Sequence, residues 1–96
     1  MHVGVCRVQL RLPENGSLKD KRQVVRSLTG RIKSRYNVAI AEVDRLDSRQ
    51  WATLGIATVN TDARHANETL SKVVEYIQTS RPDAELVDYE LEFISI

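Results

Sequence analysis

The 96-residue sequence is poor in the residue types that mark several classes of protein. It has one cysteine, two prolines, four glycines and few aromatic residues, at 5% of the chain. A lone Cys6 cannot form an intrachain disulfide, and no cysteine and histidine spacing resembles a zinc site. No apolar run approaches the roughly 20 residues that span a bilayer, and the apolar start breaks at Arg7, too early for a signal peptide. We therefore expect a cytoplasmic protein without a metal or another cofactor.

The composition is that of an ordinary small globular domain. Hydrophobic residues make up 42% of the chain and charged residues 28%. A chain of this length is expected to form one domain, residues 1–96, with a single two-layer core. Such a core leaves little room for a large enclosed substrate cavity, which disfavours an enzyme with a deep pocket.

The charge is distributed unevenly along the chain. Residues 1–50 contain 11 Lys and Arg against 5 Asp and Glu, net +6, whereas residues 51–96 contain 3 against 8, net −5. Separated charge of this kind indicates either an anionic partner on one face or self-association between unlike faces, and composition does not choose between them.

Six segments alternate between strand and helix patterns. Apolar alternation or β-rich composition predicts four strands, over Val3 to Leu12, Tyr36 to Val43, Trp51 to Val59 and Ala84 to Phe93. The last strand alternates Val87, Tyr89, Leu91 and Phe93 against Asp88, Glu90 and Glu92. Helical periodicity predicts two helices, one from Leu18 to Arg35 capped by Ser17 and one capped by Thr61 or Asp62 that ends near Thr79. Turns are expected at Pro13 to Gly16 and at Arg81 to Asp83. The order β-α-β-β-α-β predicts an α+β ferredoxin-like fold, with an antiparallel sheet in the order 4-1-3-2 and both helices on one face.

A basic stripe is predicted on the outer face of the first helix. At 100° per residue, its side chains fall within about 60° of one another, and the stripe is about 21 Å long. Its members are Lys19, Arg22, Arg26 and Lys33. The stripe is either an ordinary solvated face or a surface that follows nucleic-acid phosphates, and its single sign of charge favours the second interpretation.

The topology gathers further charge at one end of the sheet. Arg45, Arg49 and Arg81 are expected there with Lys19 and Arg22, near a helix N-terminus that favours anions. Three acids at the same end offer an alternative, because they could simply pair with the arginines. These acids are Glu14, Asp44 and Asp47.

The sequence contains no recognisable catalytic constellation. Cys6 alternates with apolar residues and has no neighbouring base, so a buried thiol is expected. One enzyme alternative is a phosphate-ester or other anion-binding enzyme at the basic end, with His65 as acid or base. This alternative is disfavoured because His65 should lie at the opposite end of the sheet. A protein-protein interaction module is a further alternative.

The uncovered face of the sheet predicts a homodimer. Val3 and Val5 point to this face, and the second and third strands are apolar in both phases, so one set of their side chains must also be exposed. Arg7 and Arg11 should pair across strands with Asp88, Glu90 and Glu92, which favours a structural role over an RNA contact. We expect Ile40→Glu or Ile56→Glu to disrupt the dimer without loss of the fold.

Several segments together resemble the bacterial DUF503 (YlxP-like) family over nearly the whole chain. They are Leu12-Pro13, Ser17 to Arg22, Val43-Asp44, Ala52 to Gly55 and Asp62 to Asn67. The resemblance implies a small cytosolic ferredoxin-like protein, often encoded near translation-initiation and ribosome-maturation factors, and thus an RNA- or ribosome-linked role. It also implies that Lys19, Lys21 and Arg22 form a functional segment, with Asp62 and His65 as a second one. Lys21 lies toward the inward margin of the helix, where it is expected to extend to solvent or pair with an acid.

Overall fold

The computed structural model describes residues 1–12, 16–80 and 83–96. The predicted turn residues 13–15, including Glu14, and the predicted basic residue Arg81 therefore lie outside the described residues. The elements are β1 His2–Arg11, α1 Leu18–Arg35, β2 Ala39–Asp44, β3 Trp51–Asn60, α2 Ala63–Ser80 and β4 Glu85–Ser95. All strand pairs are antiparallel, and the strand order is β2-β3-β1-β4. This confirms the predicted ferredoxin-like topology and strand order.

The core lies between the sheet and the two helices. Alternate residues of β1, among them Val8 and Leu10, are buried against apolar positions of both helices, such as Leu28 of α1 and Leu70 of α2. Because one cluster contains side chains from both helices, α1 and α2 lie on the same face of the sheet. Helix α1 begins where Ser17 accepts the N–H of Asp20 at 3.0 Å, as its predicted capping role requires.

Strand β2 begins later than predicted. The backbone N–H of Tyr36 donates to Ile32 at the end of α1, and that of Val38 donates to Tyr36. These groups complete the helix and form a tight turn, so they are not available to the sheet. The β-rich composition of residues 36–38 reflects side-chain packing instead, because Tyr36 and Val38 pack against the core.

Strand β4 contains an irregularity that the sequence pattern did not show. Leu10 of β1 pairs with Leu86 and Gln9 pairs with Asp88, which leaves Val87 as an extra residue. Leu86, rather than the predicted Val87, therefore faces the helices beside Leu10. Beyond this bulge the predicted alternation holds, with Tyr89 opposite Val8 and Leu91 opposite Cys6.

Candidate nucleic-acid interface

The basic stripe of α1 is formed as the helical spacing predicts. Lys19, Arg22, Arg26 and Lys33 are all exposed, whereas the opposite side of the helix is fixed by buried Val25, Leu28 and Ile32. None of the four stripe side chains forms an ion pair with a carboxylate among the described residues. The helix therefore presents four outward cations on a face held rigidly by its own core contacts.

Lys21 is not part of this exposed stripe. Its side chain is 0% exposed, and its ammonium donates to two backbone carbonyls of the segment that joins β2 to β3 and to one at the start of β3. The Nζ atom lies 2.8 Å from the oxygen of Arg45, 3.4 Å from that of Leu46 and 3.1 Å from that of Trp51. The functional segment that the resemblance implies is therefore divided: Lys19 and Arg22 are available to bind an anion, whereas the charge of Lys21 is enclosed and its donors are occupied.

Glu42 neutralises this buried ammonium. Its Oε2 lies 2.8 Å from Nζ of Lys21, and only 14% of the Glu42 side chain is exposed. The same oxygen has no hydrogen-bond partner among the described residues. At 2.8 Å the carboxylate is in close Coulomb contact with the ammonium, which the carbonyls of Arg45, Leu46 and Trp51 also surround. Lys21 thus pairs with an acid, as its inward position suggested.

The segment around Lys21 forms the tip of the β2–β3 hairpin and carries two predicted arginines. Arg45 has a positive φ of 58°, and its guanidinium carbon lies 4.7 Å from the ring centroid of Trp51. Arg49 lines a concavity of about 360 Å³ together with Gly16, which precedes α1. The lysine ammonium therefore holds the hairpin tip, with exposed Arg45 and Arg49, at the N-terminal end of α1.

Among the described residues, neither Asp44 nor Asp47 forms the predicted ion pair with Arg45. Asp44 instead accepts the backbone N–H of Arg45 at 2.8 Å, which stabilises the left-handed backbone at that residue. Sequence reasoning missed Trp51, whose ring supports the Arg45 guanidinium. The available signal was an aromatic residue at the end of a strand six residues after an arginine, which is too common to indicate such a contact.

The second predicted segment lies at the opposite end of the sheet. Asp62 caps α2 by accepting the N–H of Arg64 at 2.8 Å, and His65 Nδ1 lies 4.0 Å from Asp62 Oδ2. Strand β3 separates this end from the hairpin tip by about 30 Å. His65 therefore cannot act as an acid or base for a substrate bound beside Arg45 and Arg49.

The uncovered sheet face exposes the smaller of the two apolar sets. Ile40 and Ile56 are buried under the helices, whereas Ala39, Ala41 and Val43 are exposed on the other side. The prediction that Ile40→Glu or Ile56→Glu would disrupt a dimer through this face is therefore wrong, because either substitution would disrupt the core. Arg7 pairs with Glu90 at 4.0 Å, which confirms that predicted cross-strand pair.

The Cys6 thiol is buried on the helix side of β1. Burial without a charged partner raises its pKa from 9.0 to about 11. At neutral pH the group is therefore a protonated core residue, as its position in the alternating pattern predicted. Within the described ranges, no group of three histidine, cysteine or carboxylate side chains could hold a metal ion, and neither helix is long and apolar enough to cross a membrane.

Two comparisons relate this geometry to known proteins. A family model described as "Protein of unknown function (DUF503)" matches residues 3–91. The chain is also 30% identical over 77 residues to "Uncharacterized protein YlxP" of Bacillus subtilis (strain 168), which covers 80% of this chain and 84% of that protein. The match to the family model contains the stripe, Lys21 and the hairpin tip.

Proposed function

The chain belongs to the DUF503 family of proteins of unknown function, and from this premise we propose that it is a non-catalytic module that binds structured RNA, including RNA of the ribosome, through α1. The observation that carries the proposal is the exposed stripe of Lys19, Arg22, Arg26 and Lys33, which has no carboxylate partner among the described residues. A solvated helix usually mixes acids with its bases at i,i+4 spacing. The only acid of α1 is Asp20, about 100° from Lys19.

The placement of the hairpin tip supports the proposal. Arg45 and Arg49 extend the cationic surface beyond the N-terminal end of α1, where the helix dipole also favours anions. The stripe and the tip together offer a row of positive charge to a phosphate backbone. Contacts to phosphates fix position without reading base identity, so we expect affinity with little sequence preference.

The salt dependence tests this mode of binding. Four phosphate contacts predict that log K falls by roughly 2.8 to 3.6 for each tenfold rise in salt, which is an affinity loss of about 50- to 150-fold between 50 and 200 mM. Filter binding to a structured RNA at both salt concentrations measures this change. Absence of binding at 50 mM salt would overturn the proposal.

Two matched charge-reversal variants locate the interface. Lys19→Glu with Arg26→Glu removes two stripe cations, and Arg64→Glu with Lys72→Glu makes the same net-charge change on exposed positions of α2. We expect the α1 variant to bind weakly, with the salt slope reduced by about 2, and the α2 variant to bind as the unchanged protein does. Equal weakening by both variants would show attraction to net charge alone. Competition by polyglutamate as effective as by RNA would instead identify an acidic protein as the partner.

A further inference from the structure

Strand β4 is a long, exposed edge of the sheet. It spans Glu85–Ser95, and every residue except Leu86 is exposed. Among the described residues it pairs with β1 alone, so its outer backbone N–H and C=O groups face no other described strand. After the bulge at Val87, residues 88–95 pair with β1 without further irregularity. This regular stretch lacks the lysine, proline and second bulge with which edge strands are commonly protected.

One side of β4 is apolar and incompletely covered. Tyr89, Leu91 and Phe93 point to the helix side of the sheet. Residues that pair across two strands face the same side, and their β1 partners Val8, Cys6 and Gly4 face the helices. Helix α2 packs mainly over β1 and β3, so these three side chains remain 43%, 36% and 43% exposed. An apolar row at an open edge is a common feature of interaction sites.

The other side of β4 is acidic. Asp88, Glu90 and Glu92 alternate along it, and Glu90 alone has a cation within reach among the described residues, namely Arg7 at 4.0 Å. Asp88 accepts the N–H of Tyr89, and the β1 neighbours of Asp88 and Glu92 are the uncharged Gln9 and Val5. The row therefore has more negative charge than β1 balances.

This charge decides which strand can add to the edge. Antiparallel pairing with β4 of a second copy would place acidic side chains on the same face beside one another, and like charges in that position are destabilising. A strand whose basic residues lie on the same face of the sheet as these acids would instead form favourable cross-strand ion pairs with them. Its intervening residues would then lie on the helix side, against Tyr89, Leu91 and Phe93.

We propose that the free edge of β4 binds an extended segment of another protein in which basic and apolar residues alternate. The segment adds as a fifth strand: its backbone pairs with the outer groups of residues 88–95, its basic side chains face the acidic row and its apolar side chains cover the exposed row. This site lies on a different element from the α1 stripe, so the two proposals stand or fall separately.

A set of three synthetic octapeptides tests the required pattern. One alternates lysine and valine, the second has the same composition as a block of four lysines followed by four valines, and the third alternates glutamate and valine. Fluorescence anisotropy should show binding of the alternating lysine peptide, with the block peptide roughly tenfold weaker. In hydrogen exchange, alternate amides of residues 88–95 should gain protection. Equal binding of the first two peptides would overturn the proposal.

A charge swap tests the register. Asp88→Lys with Glu92→Lys leaves the Arg7–Glu90 pair intact, and Glu68→Lys with Glu75→Lys makes the same net-charge change on exposed positions of α2. We expect the β4 variant to lose the lysine peptide and bind the glutamate peptide, and the α2 variant to keep the original preference. Equal effects of the two variants, or a dimer of the unchanged protein that forms through β4, would contradict the proposal that β4 binds a basic segment of another protein. Thermal unfolding of both variants establishes that each is folded.

Discussion

Replacing Lys21 with methionine should remove a large part of the stability of this protein. Methionine fills a similar volume but carries no charge or donors, so the carbonyls of Arg45, Leu46 and Trp51 lose their common partner. The carboxylate of Glu42 stays mostly buried without its counter-ion. Removing one partner of a buried ion pair typically costs about 3 to 5 kcal/mol. A 96-residue domain has a total unfolding free energy of roughly 5 to 14 kcal/mol.

Two companion substitutions separate the parts of this effect. Lys19→Met makes the same chemical change two residues away at an exposed position, and should alter stability by no more than about 0.5 kcal/mol. Glu42→Gln removes the negative charge but leaves the three carbonyl contacts in place, so its cost should be smaller than that of Lys21→Met. Adding Glu42→Gln to Lys21→Met should recover part of the loss, because no unpaired charge is then buried.

Urea unfolding at pH 7 measures these differences, provided that the dependence on urea is unchanged between variants. A loss below about 1 kcal/mol for Lys21→Met would refute the reasoning, since it would mean that the buried ammonium is readily replaced. An equal loss for Lys19→Met would refute it as well. In either case the hairpin tip would be held by contacts other than those of Lys21.

Three further predictions concern other parts of the molecule. Because the pKa of Cys6 is raised in the folded protein, the unfolded chain releases the thiol proton at a lower pH, and stability should fall between pH 9.0 and about 11. At pH 10.5 the unfolding free energy should have fallen by about 2 kcal/mol more than that of Cys6→Ala, as measured by urea unfolding. Gly4→Ala should destabilise the protein by about 1 to 3 kcal/mol, because the added Cβ would lie 2.7 Å from buried Leu70 Cδ1. Gly55→Ala should cost less, because its Cβ would meet Val43, whose side chain is 55% exposed and can move aside. An equal cost of the two substitutions in thermal unfolding would contradict this reasoning. The homodimer through the uncovered sheet face stays a prediction: sedimentation should show a dimer at micromolar concentration that Val43→Glu separates, and a monomer of the unchanged protein would exclude it.

The order of elements and the strand order followed from the sequence because apolar periodicity is a local property. The orientation of β2 did not follow, because both of its faces are apolar, with Ile40 on one and Val43 on the other. Side-chain volume decides such a case: the core takes the larger isoleucines, and the alanines remain outside. The phase of β4 at Val87 was missed because a bulge depends on pairing with β1 rather than on the sequence of β4 itself.

The basic stripe could be predicted because the geometry of a helix fixes which of its residues share a face. The environment of Lys21 could be predicted only in part. Its inward position on the helix indicated an acid partner, but its three carbonyl partners come from residues 24, 25 and 30 positions later in the chain. No local pattern shows that a backbone segment so distant will bend around an ammonium group.

The central position of β1 also affects how the protein folds. Both of its neighbours, β3 and β4, come later in the chain, and its pairs with β4 join residues as distant as His2 and Ser95. Contacts of such long sequence separation slow folding, because the chain must close a large loop before they form. During synthesis at roughly 5 to 20 residues per second, β1 waits about 4 to 19 s for β4. Its apolar residues Val8 and Leu10 remain without that neighbour throughout this interval, so the nascent chain exposes apolar surface that the finished fold buries.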